Sequence, residues 1–360
     1  MAALLASGYH GPPELTPLRA LTEWTLDPWA LAFVLLLGGL YLAGVRRVRQ
    51  AESWPAWRAV AFCGLGLGFA VIATMSWVGV YQPALFYVRS VQTILLLLVV
   101  PLFLALGRPL TLAITALRRI GPRIEAGIRS RTAVILTFPA ISTLVLVVVP
   151  FVLYFSPWYA AGFHATLVRE LTYVALLIPG FVFFWTLLRV DPVPKAYPYL
   201  LALWITGAEV VGDAVLGLAV IADQNLIASA YYHALARPWG PGLAGDQVLG
   251  GGALWVLGDI VGLPFLAAQL IQMIREDEAD ATAIDAELDA RDAARAGQAA
   301  AGAAAGAGAD AQGALAGQAQ PGRAGEAGAE RPWWESDQRF AGRFQPVEDG
   351  RCQPADDATE

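Results

Sequence analysis

Long apolar segments, separated by short polar connections, dominate the hydrophobicity pattern of the chain. Each is long enough to cross a bilayer as a helix, and helices satisfy every backbone polar group in lipid without closing a barrel. The pattern therefore predicts an all-α, polytopic membrane protein with seven transmembrane helices, over roughly residues 28–45, 59–79, 91–107, 133–154, 171–188, 198–221 and 250–274. Prolines inside these segments predict kinks, because proline lacks the N–H that a helix needs; they are Pro101, Pro139, Pro150, Pro179 and Pro264.

Arginines are concentrated in two of the connections. Four of them flank the first connection and five follow the third apolar segment, whereas the connection before the third segment holds only Arg89. By the positive-inside rule, both arginine-rich connections face the cytoplasm. This orientation places the N-terminus outside, the C-terminus in the cytoplasm, and Arg89, His164 and His233 in outer loops.

The segment from Leu110 to Arg131 combines spaced apolar residues with five arginines. It predicts either an amphipathic helix on the inner leaflet, with arginines near anionic headgroups, or a solvated basic loop. Membrane lipids are therefore expected partners of the chain.

Composition supports a membrane protein and divides the chain. Hydrophobic residues make up 57% and charged residues 15% of the sequence, values typical of multispanning proteins. We predict an extracytoplasmic segment at 1–27, a seven-helix domain at 28–275 and an acidic, Ala/Gly-rich, mostly disordered cytoplasmic tail at 276–360. Adjacent Trp333 and Trp334 in the tail could dock a cytoplasmic partner. A single lysine among 24 basic residues is typical of GC-rich bacterial genomes and favours a bacterial plasma membrane.

Polar residues within the apolar segments are candidates for function, because a charge at the bilayer centre is costly. Glu209 and Asp213 lie four residues apart and therefore on one helical face. Gln92 lies near the start of the third segment and Asp259 lies within the seventh. These groups either act in a polar pathway or hold helices together, and the second interpretation is favoured for Asp259.

Motifs of enzymes and cofactor sites do not occur in a credible context. Haem or copper in a bundle usually recruits imidazole, yet His10, His164 and His233 all lie outside the apolar segments. His164 and His233 remain weak metal candidates on the outer side. Without a P-loop or a Rossmann fingerprint, and with its basic residues explained by topology, the chain is predicted to be neither an enzyme nor a nucleic-acid-binding protein.

Several stretches, in order along this seven-span frame, resemble the CtaG family of cytochrome c oxidase assembly factors. The resemblance covers roughly Leu15 to Arg275. It includes a motif predicted to lie in a loop, Asp246 and Gln247, followed by Trp255. The other stretches are Trp24 with Asp27-Pro28, Tyr41-Leu42 with Gly44-Val45-Arg46-Arg47, Trp54-Pro55 before Arg58, Gln92 leading to Gly107-Arg108-Pro109-Leu110, Ser156-Pro157-Trp158-Tyr159, the run 180–185 and Asp191-Pro192-Val193-Pro194.

The resemblance implies copper delivery to the catalytic subunit of the oxidase, using histidines near the outer face. The chain departs from that pattern, because arginine, threonine, tyrosine and aspartate stand at or near the family's histidine positions. None of these copper ligands carries over, so copper is possible only by resemblance. The substituted positions are Arg89, Thr93, Arg169, Tyr173 and Asp213.

These substitutions suggest a hypothesis for the site and three for the function. At the former copper site, Arg89 or Arg169 is expected to pair with Asp213. The leading function is oxidase assembly, with the chain acting as a metal-free scaffold paralogue. The alternatives are a proton- or ion-coupled transporter that uses the intramembrane carboxylates, and a membrane anchor whose tail recruits a partner.

Overall fold

The computed structural model of the protein describes residues 9–49, 53–195, 197–313, 344–346 and 352–354. The helices, in chain order, are α1 Pro17–Thr22, α2 Pro28–Val48, α3 Ala56–Tyr81, α4 Phe86–Leu106, α5 Pro109–Ala116, α6 Gly121–Ile128, α7 Arg131–Leu136, α8 Pro139–Tyr154, α9 Trp158–His164, α10 Thr166–Leu188, α11 Tyr199–Ala222, α12 Ser229–Leu235 and α13 Leu243–Gly313. Two short strands, β1 Phe344–Pro346 and β2 Cys352–Pro354, pair antiparallel.

Six of these helices, α2, α3, α4, α10, α11 and α13, are long and apolar enough to cross a membrane. A seventh candidate span is formed by α8 and α9 together, which meet at a bend of 66°. Within the described residues, the prediction of a helical, multi-pass membrane protein is confirmed. The fourth apolar segment is not one helix from 133 to 154, because Pro139 starts a new helix after α7.

The third span is the centre of the bundle. Among the six spans formed by a single helix, α4 is buried over 72% of its most apolar stretch, against 17% for α2. Leu96, Leu97 and Leu98 on α4 pack with Phe183 and Phe184 of α10 in the main hydrophobic cluster. The peripheral helix α2 starts at Pro28, where the Asp27 carboxylate accepts the N–H groups of Trp29 and Ala30.

Pro101 disturbs α4 at the point where this helix touches α10. A π-helical turn, Leu95–Val99, directly precedes it. Because Pro101 has no N–H, it cannot donate to the Leu97 carbonyl one turn earlier. Gly180 of α10 lies against that carbonyl, so closely that a Cβ at this position would collide with the oxygen. The two spans therefore touch through backbone atoms, as small residues allow in membrane bundles.

Two predicted segments have a different structure. Residues 110–131 form the separate short helices α5 and α6, since Gly121-Pro122 starts a new helix. The last helix continues to Gly313, so residues 276–313, the first part of the tail predicted to be mostly disordered, are helical. Alanine is the strongest helix former, and the pair Glu287–Arg291, at 2.6 Å, supports the helix at i,i+4 spacing.

The described chain divides into two units, residues 1–282 and residues 283–360. The second unit holds the end of α13 and the β1–β2 pair, in which Phe344 faces Pro354. The proposed docking motif at Trp333 and Trp334 lies outside the described residues.

Candidate functional site

Arg89 lies in the first turn of α4 and is one of the most completely buried side chains, with 2% of its surface exposed. It is not in an outer loop as the arginine count predicted, because α4 begins five residues before the apolar run. Its Nη1 atom donates to the Oε1 atoms of Gln82 (2.9 Å) and Gln92 (2.8 Å). Two amide oxygens therefore hold one side of the guanidinium group.

Aromatic rings cover the other side of Arg89. Its Cζ atom lies 5.9 Å from the ring centre of Tyr159 and 5.6 Å from that of Phe163, a range in which ring faces attract cations. Tyr231 and Tyr232 of the neighbouring helix α12 also interact electrostatically with Arg89. Burial raises the pKa of both hydroxyls, so neither supplies a negative charge at physiological pH. No described carboxylate forms an ion pair with Arg89, and its Nε and Nη2 atoms have no hydrogen-bond partner.

Gln92 connects two of the substituted positions, Arg89 and Tyr173, and Thr93 is bonded to the first of them. Gln92 accepts from Arg89, and its Nε2 atom donates to the Ala73 carbonyl at 2.7 Å and lies 3.5 Å from the Tyr173 hydroxyl. Thr93 donates to the Arg89 carbonyl at 3.0 Å and lies 3.1 Å from the Tyr154 hydroxyl. The third and fifth spans are thus joined by polar contacts near their outer ends.

Arg169, at the start of α10, pairs with Asp27 at 3.0 Å and with Glu170 at 3.1 Å. It lines an outer cleft of about 510 Å³ together with His10, Gln82 and Tyr173. The ion pair expected between Asp213 and Arg89 or Arg169 is not formed, so that hypothesis is wrong. Asp213 lies nine residues before the end of α11, about 13 Å along the helix axis, whereas both arginines lie in the first turn of their spans.

Asp213 instead belongs to a group of carboxylates between α11 and α13. Glu209 and Asp213 are buried and both face α13, where Cβ atoms at Gly258 and Gly262 would meet their oxygens. Asp259 of α13 completes the group. The Oδ2 atom of Asp213 and the Oδ1 atom of Asp259 have no hydrogen-bond partner, and no described cation pairs with any of the three.

The histidines are exposed. His164 packs edge-on against the Tyr231 ring, with 5.8 Å between ring centres, and His233 lies on α12. Among the described residues, no three His, Cys, Asp or Glu side chains come together as a group that could hold a metal ion.

The model of the cytochrome c oxidase caa3 assembly factor family, Caa3_CtaG, matches residues 39–276. The chain belongs to this family. The resemblance drawn from the sequence is therefore confirmed, and the match extends from the second half of α2 into α13.

Mycobacterial proteins are similar to this Caa3_CtaG chain. It is 29% identical over 304 residues to an uncharacterized protein of Mycobacterium leprae, over 79% of this chain and 46% of that protein. It is 28% identical over 292 residues to uncharacterized proteins of Mycobacterium bovis and Mycobacterium tuberculosis, over 79% of this chain and 44% of each relative. The chain thus spans less than half the length of these curated relatives. No solved structure matches it.

In this Caa3_CtaG chain, Asp246 fixes the start of α4. It lies in the first turn of α13 and not in a loop, because that helix already begins at Leu243. Its carboxylate accepts the N–H groups of Phe86 (3.1 Å) and Tyr87 (3.0 Å), which α4 leaves free at its N-terminus. It also pairs with Arg237 at 3.1 Å, and both side chains are 2% exposed. The sequence analysis did not identify Arg237, whose partner is apparent only in the fold.

Gln247 and Trp255 also lie on α13. Gln247 accepts the Ile227 N–H at 2.9 Å and donates to the carbonyls of Val220 and Asp223 at 3.1 Å, so it joins the end of α11 to the following connection. Trp255 is 37% exposed, and its backbone packs against Gly217. These motif residues are placed to hold the bundle together.

At the opposite end of the Caa3_CtaG bundle, a second aspartate caps the start of a helix, as Asp246 does for α4. Asp191, after α10, accepts the N–H groups of Leu110 (3.1 Å) and Thr111 (2.9 Å) and so caps α5. Tyr41 of α2 donates to the Gly107 carbonyl at 2.7 Å. The stretches that carry the family resemblance therefore include contacts between spans that lie far apart in sequence.

Proposed function

We propose that this chain assists the assembly of cytochrome c oxidase in the bacterial plasma membrane, as a non-catalytic scaffold that contacts the catalytic subunit. Its family membership supports oxidase assembly. The chemistry at the outer end supports a scaffold that does not use the family's histidine positions to carry copper.

The side chains at those positions do not fit copper. Arginine carries only donors and no lone pair for a metal, and copper prefers imidazole, thiolate or thioether ligands over hydroxyls. Arg89 is held by Gln82 and Gln92, and Arg169 by Asp27 and Glu170. Copper as cargo would therefore need ligands elsewhere in the chain or in its partner.

Deleting the gene is expected to lower the amount of assembled oxidase and its activity, and added copper is not expected to restore them. A scaffold is needed whatever the copper supply, whereas a copper carrier can be bypassed by excess metal. The measurement is oxidase activity and haem content of membranes, with and without copper in the medium, and the intact gene as the complementing control.

Two results would contradict the scaffold. Full rescue by copper would indicate delivery, and an unchanged oxidase would indicate that the chain has no role in assembly. A Cu(I) titration of the purified chain gives an independent measurement. Tight, stoichiometric uptake that survives replacement of His164 and His233 would place copper at a site that the arginines do not block.

A second candidate function, proton- or ion-coupled transport, is favoured by the carboxylates between α11 and α13. Glu209 and Asp213 are buried without a cationic partner among the described residues. Carboxylates inside a bilayer usually face a substrate or proton pathway. In proteoliposomes, a pH-sensitive dye would detect a proton flux that the double variant Glu209→Gln, Asp213→Asn abolishes if this function is correct.

The same double variant is expected to unfold at a temperature equal to or above that of the unmodified chain. The two carboxylates have no described cationic partner to lose, and burying an unpaired charge is unfavourable. Thermal unfolding in detergent gives the measurement, with Glu170→Gln as the control because Glu170 does pair with Arg169. If the double variant instead lost more than about 2 kcal/mol of unfolding free energy, the carboxylates would hold the helices together.

A further inference from the structure

A groove of about 340 Å³ opens between α2, α3 and α5, at the end of the bundle predicted to be cytoplasmic. Its base is well ordered by contacts within the chain, since the Tyr41 ring stacks on Phe62 at 4.1 Å and the Tyr41 hydroxyl is bonded to Gly107. Its apolar wall is formed by Leu37, Leu40, Ala43, Phe62, Leu112 and Ala113. Leu40 is exposed on the peripheral helix α2, so the groove faces the surrounding lipid.

Exposed arginines lie at or next to the mouth of this groove, on the side predicted to be cytoplasmic. Arg47 lines it directly, and Leu117, which also lines it, is followed by Arg118 and Arg119. No described carboxylate forms an ion pair with these three arginines. Two other arginines of this end are compensated, since Arg108 lies 3.9 Å from Asp191 and Arg129 pairs with Glu125. The rim of the groove therefore carries unneutralised positive charge.

We propose that the groove binds one anionic glycerophospholipid. An acyl chain lies along the apolar wall, and the phosphate is held by Arg47 together with Arg118 and Arg119. This site is independent of the proposed function in oxidase assembly.

Shape and charge together select a lipid over other occupants. The helices α2 and α5 are already in contact beside the groove, since a Cβ atom added to Gly44 of α2 would lie 3.1 Å from the Leu112 side chain of α5. A transmembrane helix with its side chains is about 10–12 Å across, which is too wide for a groove between two touching helices. A free phosphate ion would not use the apolar wall. Basic pockets on the cytoplasmic side of membrane proteins recognise anionic headgroups in this way.

Native mass spectrometry of the full chain in detergent tests the proposal. Phosphatidylglycerol and phosphatidylcholine with identical acyl chains are titrated separately. We expect phosphatidylglycerol to bind at least about tenfold more tightly. The triple variant Arg47→Gln, Arg118→Gln, Arg119→Gln is expected to lose this preference, so that phosphatidylglycerol binds about tenfold more weakly, and to leave phosphatidylcholine binding unchanged.

Two further variants separate the roles of charge and groove. Arg291→Gln with Arg295→Gln removes exposed charges of α13 and should change neither affinity. Ala43→Phe fills the groove from its lipid-facing side and should weaken both lipids. Equal binding of the two lipids by the unmodified chain, full phosphatidylglycerol affinity in the triple variant, or complete displacement by glycerol phosphate would overturn the proposal.

Discussion

Replacing Asp246 with alanine is expected to lower the free energy of unfolding by about 3–5 kcal/mol, because the change leaves a buried charge unpaired. Arg237 is 2% exposed and has its ion pair with this carboxylate. The same carboxylate accepts two N–H groups at the start of α4, and losing a helix cap alone costs about 1 kcal/mol. Thermal or denaturant unfolding of the purified chain in detergent gives the measurement.

Asp246→Asn is the informative comparison. It keeps one oxygen for the α4 cap but loses the charge that pairs with Arg237, so we expect an intermediate loss of stability. Gln224→Ala, at an exposed position near the same end, should cost less than about 0.5 kcal/mol. If Asp246→Ala cost no more than this control, the carboxylate would not fix the third span.

Replacing Gly180 with alanine is expected to lower the free energy of unfolding by about 2–3 kcal/mol. An added methyl group would collide with the Leu97 carbonyl oxygen and lie 2.7 Å from the Pro101 side chain. Neither neighbour can move easily, since one is backbone and the other is a ring. The third and fifth spans would have to separate at the point where they touch, which unfolding measurements can detect.

Gly207→Ala provides the matched control. Gly207 is also in a transmembrane helix, but nothing lies within 4 Å of a Cβ added there. We expect no loss of stability, or a gain of up to about 1 kcal/mol from the higher helix propensity of alanine. Equal losses at the two positions would mean that the close approach of α4 and α10 does not occur.

The spans could be predicted from the sequence because the thickness of the bilayer sets their length. Their interruptions could not. The break before Pro139 and the π-helical turn before Pro101 depend on how single prolines are accommodated by neighbouring helices. The helical extension to Gly313 was missed because a composition that cannot form a core can still form a solvated helix.

The polar contacts of the site could be predicted less well than the spans, because they depend on how the helices pack. Spacing placed Glu209 and Asp213 on one face, and both do face α13. The resemblance identified Arg89 and Arg169 as substituted positions, but it could not show that Gln82 and Asp27 would be their partners. The pairing with Asp213 failed because residues related by a family motif need not lie at the same depth in the membrane.

The cap that Asp246 supplies has a consequence for biosynthesis. Phe86 and Tyr87 leave the ribosome 160 and 159 residues ahead of the carboxylate that receives their N–H groups. During translation the third span, α4, must therefore enter the membrane with an open N-terminus, and it acquires its final neighbour only when the last span has been inserted. A nascent chain arrested before Asp246 would hold six spans whose central member is still incomplete.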